Sequence, residues 1–275
     1  MKFERIYLEK EGEGAYLDAY LADPTSHFTR KGILVIPGGG YSCVCSDREG
    51  EPIAHAFLAR GYQAFVLHYS VGEGTVYPTQ LIEASLAMLH IRRNAEKYGI
   101  QREAVFCVGF SAGGHLAATL ATMWHREEVM KGLPQDTKRG ENRPMGAMLI
   151  YPVITPEYHC LSFKNLLCER VSEQEMLDHV NAALAVDTES APAFFLHTAN
   201  DPVVDVRNSL SMAAAYRRAE IPFEMHIYPD GPHGMSLSNE ITAIGNPKLV
   251  NKAIARWVED GILWAETLAG EGAEK

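Results

Sequence analysis

The stretch Gly109-Phe110-Ser111-Ala112-Gly113-Gly114 decides which fold this 275-residue chain is expected to adopt. The apolar segment 104–108 before it is typical of a buried strand, and segment 115–121 after it is typical of a helix. A G-x-S-x-G motif in that context predicts a nucleophile elbow, a sharp turn that holds its serine in a strained conformation. An ordinary tight turn is the alternative, and the rest of the chain has to decide between the two.

Length and composition favour one α/β domain. The chain is 47% hydrophobic and has no linker rich in Ser, Gly or Pro, so residues 1–275 are predicted to form a single domain. A formal net charge of −10 argues against nucleic acid or an anionic membrane as a partner. No segment approaches the roughly 18 apolar residues of a membrane span, and no signal-peptide core is recognised.

The cysteines predict a reducing environment. Their number is odd, and one lies in the predicted buried strand, so a cytoplasmic location is expected. Cys43 and Cys45 have no second Cys or His pair at zinc-finger spacing. We therefore interpret them as structural or incidental thiols and expect no metal site. The five cysteines are Cys43, Cys45, Cys107, Cys160 and Cys168.

Apolar runs alternate with helical patterns along the chain. Weak alternation over about 5–22 indicates early antiparallel strands, and the later predicted strands are 33–36, 62–69, 104–108, 145–153, 192–198 and 223–228. Helices are predicted over 52–59, 79–98 and 205–219 and at the end, where Val250, Ile254, Trp257 and Val258 share one face. The alternation predicts an α/β fold with a mainly parallel twisted sheet and helices on both faces.

Two segments break this alternation. Residues 125–144 are charged and poor in helical pattern, which predicts a solvated loop. Residues 155–191 scatter apolar side chains among acidic ones, which predicts a small cap inserted after the sixth strand region.

Further polar or glycine-rich stretches follow predicted strands, at the edge where parallel α/β sheets place their chemistry. Pro37-Gly38-Gly39-Gly40 follows strand 33–36. With the amide of Ala112, the Gly39 and Gly40 amides are predicted to form an oxyanion hole. A flexible glycine turn is the alternative.

A carboxylate and an imidazole occupy the ends of the last two predicted strands. Asp201 is the first carboxylate after strand 192–198, whereas Asp205 suits the start of the next helix. His233 lies in a loop between Pro and Gly, while its rivals His115 and His226 lie in a helix and a strand. The chain order Ser111, Asp201, His233 is the order expected of an α/β-hydrolase triad.

Together the motifs 37–41, 109–115, 198–204 and 231–234 resemble those of α/β-hydrolase esterases. Specifically, they resemble the bacterial acetyl-esterase and acetylxylan-esterase-like branch, near the hormone-sensitive-lipase-like enzymes. The resemblance spans about residues 30–260 and implies the α/β-hydrolase fold. It departs at Pro37, where the lipase-like branch usually has a histidine that braces the glycine loop. It departs also in the cap, which is expected to be inserted after the predicted strand 145–153 rather than supplied by a long N-terminal extension.

The residues and the resemblance lead to one expected reaction. Ser111 would attack an ester carbonyl, His233 would accept its proton, and Asp201 would orient the imidazole, with no cofactor needed. Tyr41, Phe110 and Met235 are expected to line the acyl pocket. The resemblance implies a small-molecule substrate with a short acyl group, acetyl above all, on an acetylated sugar.

Two other functions and one assembly state stay open at this point. An amidase, arylformamidase or peptidase would use the same scaffold, and a catalytically silent binding protein would keep the fold. Homo-oligomerisation is also open.

Overall fold

A central sheet organises the structure, a computed structural model that describes residues 1–10, 12–72 and 74–273. The sheet has eight strands in the order β1-β2-β4-β3-β5-β6-β7-β8. The strands are β1 (Lys2–Tyr7), β2 (Tyr16–Leu21), β3 (Arg30–Ile36), β4 (Tyr62–His68), β5 (Ile100–Phe110), β6 (Ala147–Ile150), β7 (Ala193–Thr198) and β8 (Phe223–Tyr228).

Helices follow most of these strands. They are α1 (Ser46–Glu49), α2 (Glu51–Leu58), α3 (Thr79–Arg93), α4 (Ala95–Tyr98), α5 (Ser111–Thr122), α6 (Glu127–Lys131), α7 (Leu161–Leu167), α8 (Gln174–His179), α9 (Arg207–Arg218) and α10 (Trp257–Ala273). Short 3₁₀ turns cover Cys168–Ser172, Pro247–Leu249 and Ile254–Arg256. None of the helices in the described residues combines the length and apolar character needed to cross a bilayer.

The sheet is mainly parallel, as predicted. β1 pairs with β2 and β2 with β4 in antiparallel fashion, and every later pairing from β4–β3 to β7–β8 is parallel. In such a sheet the carboxyl ends of β3, β5, β7 and β8 point to one edge. The stretches that follow these four strands therefore meet there.

Strand residues alternate between two hydrophobic cores, one on each face of the sheet. On β3, Leu34 and Ile36 join the core against α3, α5 and α9, whereas Ile33 and Val35 join the core against α2 and α10. These strand side chains are fully buried, which explains why the strands are unbroken apolar runs.

Two sequence predictions are wrong in detail. The closing helix begins only at Trp257, so Val250 lies outside it and Ile254 lies in a 3₁₀ turn. Segment 125–144 is not only a solvated loop, because it contains α6 and the fully buried Asn142. The Asn142 amide donates to the Trp124 carbonyl at 2.8 Å. Because the residues around Asn142 in the sequence are charged, the local pattern gave no sign of this buried contact.

Segment 155–191 lies between β6 and β7 and contains α7, a 3₁₀ turn and α8. Its apolar residues Phe163 and Leu166 join the core on the α5 side of the sheet. The Tyr77 amide donates to the Leu166 carbonyl at 3.1 Å. This segment, which we call the cap, is therefore packed on the body of the domain.

Candidate active site

The turn from β5 into α5 is held by close backbone packing. Ser111 has a φ of 52°, a conformation that costs a non-glycine residue energy. A Cβ on Gly113 would lie 2.2 Å from the Pro37 carbonyl oxygen, and one on Gly109 would lie 2.3 Å from the Gly113 oxygen. Only glycine fits at these two positions, so the close packing of this turn explains both glycines of the motif.

The structure brings Ser111, His233 and Asp201 together. Ser111 Oγ lies 2.9 Å from His233 Nε2, and His233 Nδ1 lies 2.7 Å from Asp201 Oδ2. Since Nδ1 faces a carboxylate it carries the ring proton, which leaves Nε2 free to accept from the Ser111 hydroxyl. A base in this tautomer can take the proton of the hydroxyl during attack on a substrate.

Asp201 is buried but kept charged by its donors. Its side chain is 1% exposed, and Oδ1 accepts from the Val203 and Val204 amides at 2.9 and 3.0 Å. Burial alone would raise the pKa of Asp201, but the adjacent His197 and the hydrogen bond from His233 outweigh it and hold that pKa well below its usual value. The carboxylate is therefore ionised at neutral pH.

His197 is a neighbour of Asp201 that the sequence analysis missed. Its Nε2 lies 2.9 Å from the Val204 carbonyl and 3.5 Å from Asp201 Oδ2, and its Nδ1 lies 2.8 Å from Ser209 Oγ. Two acceptors at Nε2 place the ring proton there, so Nδ1 accepts from the Ser209 hydroxyl. The one signal in the sequence is a histidine within an apolar strand, four residues before Asp201.

The glycine loop after β3 turns its backbone sharply. Gly39 and Gly40 have φ values of 127° and 64°, which favour glycine. Among the described residues, neither of their amides donates a hydrogen bond to another backbone carbonyl. Ala112 is the second residue of α5, where helical N–H groups also lack a backbone partner. These three amides are thus free to bind an anionic oxygen.

Glu49 holds the glycine loop, a role that sequence analysis did not foresee. Its Oε2 accepts from the Gly38 amide and its Oε1 from the Tyr151 hydroxyl, both at 2.9 Å. The Tyr151 oxygen in turn accepts from the Ser236 amide at 2.9 Å, in the loop that carries His233. Glu49 thus connects the two loops. In the esterase branch that this sequence resembles, a histidine at the position of Pro37 usually braces the glycine loop.

The pKa of Glu49 is shifted in the opposite direction from that of Asp201. Burial raises the pKa of Glu49, and the hydrogen bonds from Tyr151 and Gly38 only partly offset that effect. The side chain is 2% exposed.

The prediction that Phe110 and Met235 line an acyl pocket is wrong. Both are buried in the core on the α2 and α10 side of the sheet, where the Phe110 ring packs against Tyr151 and Trp257. Phe110 is the last residue of β5, and the alternation of strand side chains turns it to that face. The sequence could not show which face each of these two side chains takes.

Tyr41 is buried too, but it borders a small cavity beside the glycine loop. The cavity has a volume of about 220 Å³ and is also lined by Ser42, Lys164, Asn165 and Cys168. The Asn165 amide of the cap donates to the Gly40 carbonyl at 2.8 Å. The cap therefore contacts the loop that carries two of the free amides.

The rival histidines have other roles. His115 is 1% exposed, its Nδ1 lies 2.7 Å from the Tyr41 hydroxyl and its Nε2 lies 2.8 Å from the Val180 carbonyl of the cap. Burial lowers the pKa of His115 to about 4, so it stays neutral. His226 pairs with Glu224 on β8 at 2.7 Å. Asp205 accepts from the Arg207 amide at the start of α9.

Other features of the described residues lie apart from this site. A cavity of about 550 Å³ is lined by α2, Leu237, Ile241 and Val258 and contains none of the candidate residues. One cluster of possible metal ligands, His125, Asp187 and Glu189, has its ligand atoms within 4.8 Å of one another. Arg139 pairs with Glu189, and a ring nitrogen of His125 lies 3.4 Å from an Asp187 oxygen, so contacts among these side chains account for the cluster.

Comparisons with known proteins give one family and several relatives. A family model described as BD-FAE matches residues 17–216. Endo-1,4-beta-xylanase B of Butyrivibrio fibrisolvens is 38% identical over 76% of this chain and 33% of its own length. Acetylxylan esterase of Xylanibacter ruminicola is 28% identical over 74% of this chain and 41% of its own length. The chain thus spans less than half the length of these curated relatives.

A solved structure matches over nearly the whole chain. The carboxylesterase Cest-2923 from Lactobacillus plantarum is 26% identical, covers 98% of this chain and 98% of its own, and superposes with a TM-score of 0.85.

Proposed function

Because this chain belongs to the BD-FAE family of α/β hydrolases, we propose that it is a carboxylic ester hydrolase, a serine esterase with Ser111, His233 and Asp201 as its catalytic triad. One observation carries the proposal. Continuous hydrogen bonds run from Ser111 Oγ through both nitrogens of His233 to a carboxylate whose pKa is held low. A nucleophile, a base and a carboxylate that orients the base are the three groups that this acyl-transfer mechanism uses.

The reaction follows from that arrangement. Ser111 Oγ attacks the ester carbonyl carbon while its proton moves to His233 Nε2, and Asp201 stabilises the imidazolium that forms. The Gly39, Gly40 and Ala112 amides receive the negative charge that develops on the carbonyl oxygen. Collapse of this intermediate gives the proton of His233 to the leaving alcohol and leaves an acyl-serine. Water, deprotonated by His233, then releases the carboxylic acid.

We further propose that the substrate is a short-chain ester, with an acetyl group on a sugar as the favoured case. The acetylxylan esterase among the curated relatives supports this choice.

The test compares Ser111→Ala with Ser172→Ala, a control on the exposed side of the cap. We measure release of p-nitrophenol from p-nitrophenyl acetate and release of acetate from acetylated xylo-oligosaccharides. Ser111→Ala is expected to lose about 10⁴- to 10⁶-fold in kcat with an unchanged circular dichroism spectrum, while the control keeps the wild-type rate. A near-normal rate in Ser111→Ala would refute the triad.

Chain length and bond type sharpen the substrate proposal. We expect rates to fall from p-nitrophenyl acetate to the butyrate and octanoate. The matched anilide, p-nitroacetanilide, is expected to be a much poorer substrate than the ester. Equal rates on ester and anilide would instead identify an amidase, and absence of labelling by a fluorophosphonate would identify a silent binding protein.

A further inference from the structure

Two thiols lie directly beside the glycine loop. Cys43 and Cys45 are both free, with their Sγ atoms 4.0 Å apart. Cys43 is exposed and Cys45 is partly exposed, so reagents in solution reach the pair. Neither thiol takes part in the proposed ester hydrolysis.

The backbone of these cysteines is bonded to the loop that supplies the oxyanion amides. The Cys43 amide donates to the Gly39 carbonyl at 3.1 Å, and the Cys45 amide donates to the Gly38 carbonyl at 3.0 Å. A Cβ on Gly39 would lie only 2.1 Å from the Cys43 carbonyl oxygen. Because the two segments pack this closely, a movement of one displaces the other.

We propose that Cys43 and Cys45 form a reversible disulfide that distorts the glycine loop and lowers esterase activity, with a low-molecular-weight disulfide as the oxidant. The effect on rate rests on the proposed function, whereas the thiol chemistry does not. A disulfide needs its sulfur atoms about 2.05 Å apart, so the pair has to close by roughly 2 Å. With one residue between the cysteines, that closure has to bend the backbone bonded to Gly38 and Gly39.

The exchange proceeds in two balanced steps. The Cys43 thiolate attacks one sulfur of the oxidant, which forms a mixed disulfide and expels one small thiolate. The Cys45 thiolate then attacks Cys43 Sγ, which forms the protein disulfide and expels the second small thiolate. Both protein thiols lose their protons to solvent, and the small disulfide is reduced to two thiols.

The surroundings of the pair assign the order of these steps. Cys43 is exposed whereas Cys45 is partly buried, and burial raises the pKa of Cys45, so Cys43 attacks first. Arg48 Nη2 lies 3.7 Å from Cys45 Sγ, where its charge stabilises the thiolate needed for the second step.

The experiment incubates the reduced protein with glutathione disulfide and follows two readouts. Mass spectrometry of the peptide containing residues 43–45 is expected to show loss of two hydrogen atoms. The rate on p-nitrophenyl acetate is expected to fall by about 10-fold or more, as when an oxyanion donor is displaced, and to return with dithiothreitol. Cys43→Ser and Cys45→Ser are expected to keep the reduced rate and to resist this inactivation.

The control is Cys160→Ser, which removes an exposed thiol that does not line the cavity beside the glycine loop and is expected to stay sensitive. Absence of the Cys43–Cys45 disulfide overturns the proposal, and so does a disulfide that leaves the rate unchanged. If the protein hydrolyses no ester at all, the esterase proposal fails separately. In that case the effect of the Cys43–Cys45 disulfide is tested by fluorophosphonate labelling of Ser111 before and after oxidation. A change in labelling supports the proposal, and unaltered labelling overturns it.

Discussion

Two buried carboxylates flank the candidate site, and they respond to burial in opposite ways. Asp201, after β7, has its pKa lowered, whereas Glu49, after the glycine loop, has its pKa raised. Both are nearly inaccessible to solvent, because the Asp201 side chain is 1% exposed and Glu49 as a whole residue is 2% exposed. Desolvation is the largest single effect on each, so burial does not explain the difference.

The difference lies in the donors that each carboxylate receives. Asp201 accepts from two backbone amides and lies beside two histidines, which together outweigh desolvation. Glu49 accepts from one amide and one hydroxyl, which do not. The first carboxylate is therefore suited to stabilise a cation beside it, and the second to hold two loops in place.

The largest effect is expected from removing the charge of Asp201. Asp201→Asn should lower kcat by about 10⁴-fold, because an amide does not hold the His233 tautomer that accepts from serine. Since the folded pKa is lowered, wild-type Asp201 stabilises the fold above its unfolded pKa of about 3.9, and this stability is lost as pH falls below that value. The deficit in Tm of the variant should therefore be largest near neutral pH and shrink below about pH 4.

The matched control for this variant is Asp178→Asn, an exposed carboxylate on α8. It should change neither kcat nor the dependence of Tm on pH. A wild-type rate for Asp201→Asn would remove the distinction between the two carboxylates.

A smaller effect on rate, with the opposite dependence on pH, is expected for Glu49→Gln. Loosening the glycine loop should lower kcat by up to about 100-fold with a lesser change in KM. The pKa of Glu49 is higher in the folded protein than in the unfolded chain, where it is about 4.3. Wild type therefore loses stability as the pH rises from about 4.3 through the pKa of the folded state. The Tm of the variant should thus improve relative to wild type between about pH 4 and neutrality.

Thermal scans at several pH values measure this directly. Asp47→Asn, an exposed neighbour on α1, is the control and should follow wild type. If Glu49→Gln and Asp201→Asn changed Tm with pH in the same direction, the comparison of the two carboxylates would be wrong.

The smallest effect is expected at His197, which supports Asp201 at the long distance of 3.5 Å. His197→Ala should lower kcat about 10-fold with KM unchanged, as expected for a modest hydrogen bond to a charged group. His197→Gln offers an N–H group in a similar place and should recover most of the rate. Equal losses in both variants would show that His197 acts through packing alone, not as a donor to Asp201.

Much of the site could be predicted because its parts are local. Ser111 lies in a turn whose glycines are explained by contacts with the next few residues and the adjacent strand. Asp201 and His233 each follow an apolar strand, and parallel strands bring their carboxyl ends to one edge. Glu49 and His197 could not be predicted, since an acidic residue in a short helix and a histidine in a strand have no distinctive pattern.

The sequence by itself determined the alternation of strands with helices along the chain, the elbow at Ser111 and the chain order of the three candidate groups, because side-chain periodicity and backbone sterics act over a few residues. Only the tertiary structure decided that Phe110 and Met235 face the core and that one buried carboxylate is favoured as an anion while the other is not. Those outcomes depend on partners far apart in the chain, such as Glu49 and Tyr151, which are 102 residues apart. Hydrogen bonding and desolvation at such contacts exist only once the chain is folded.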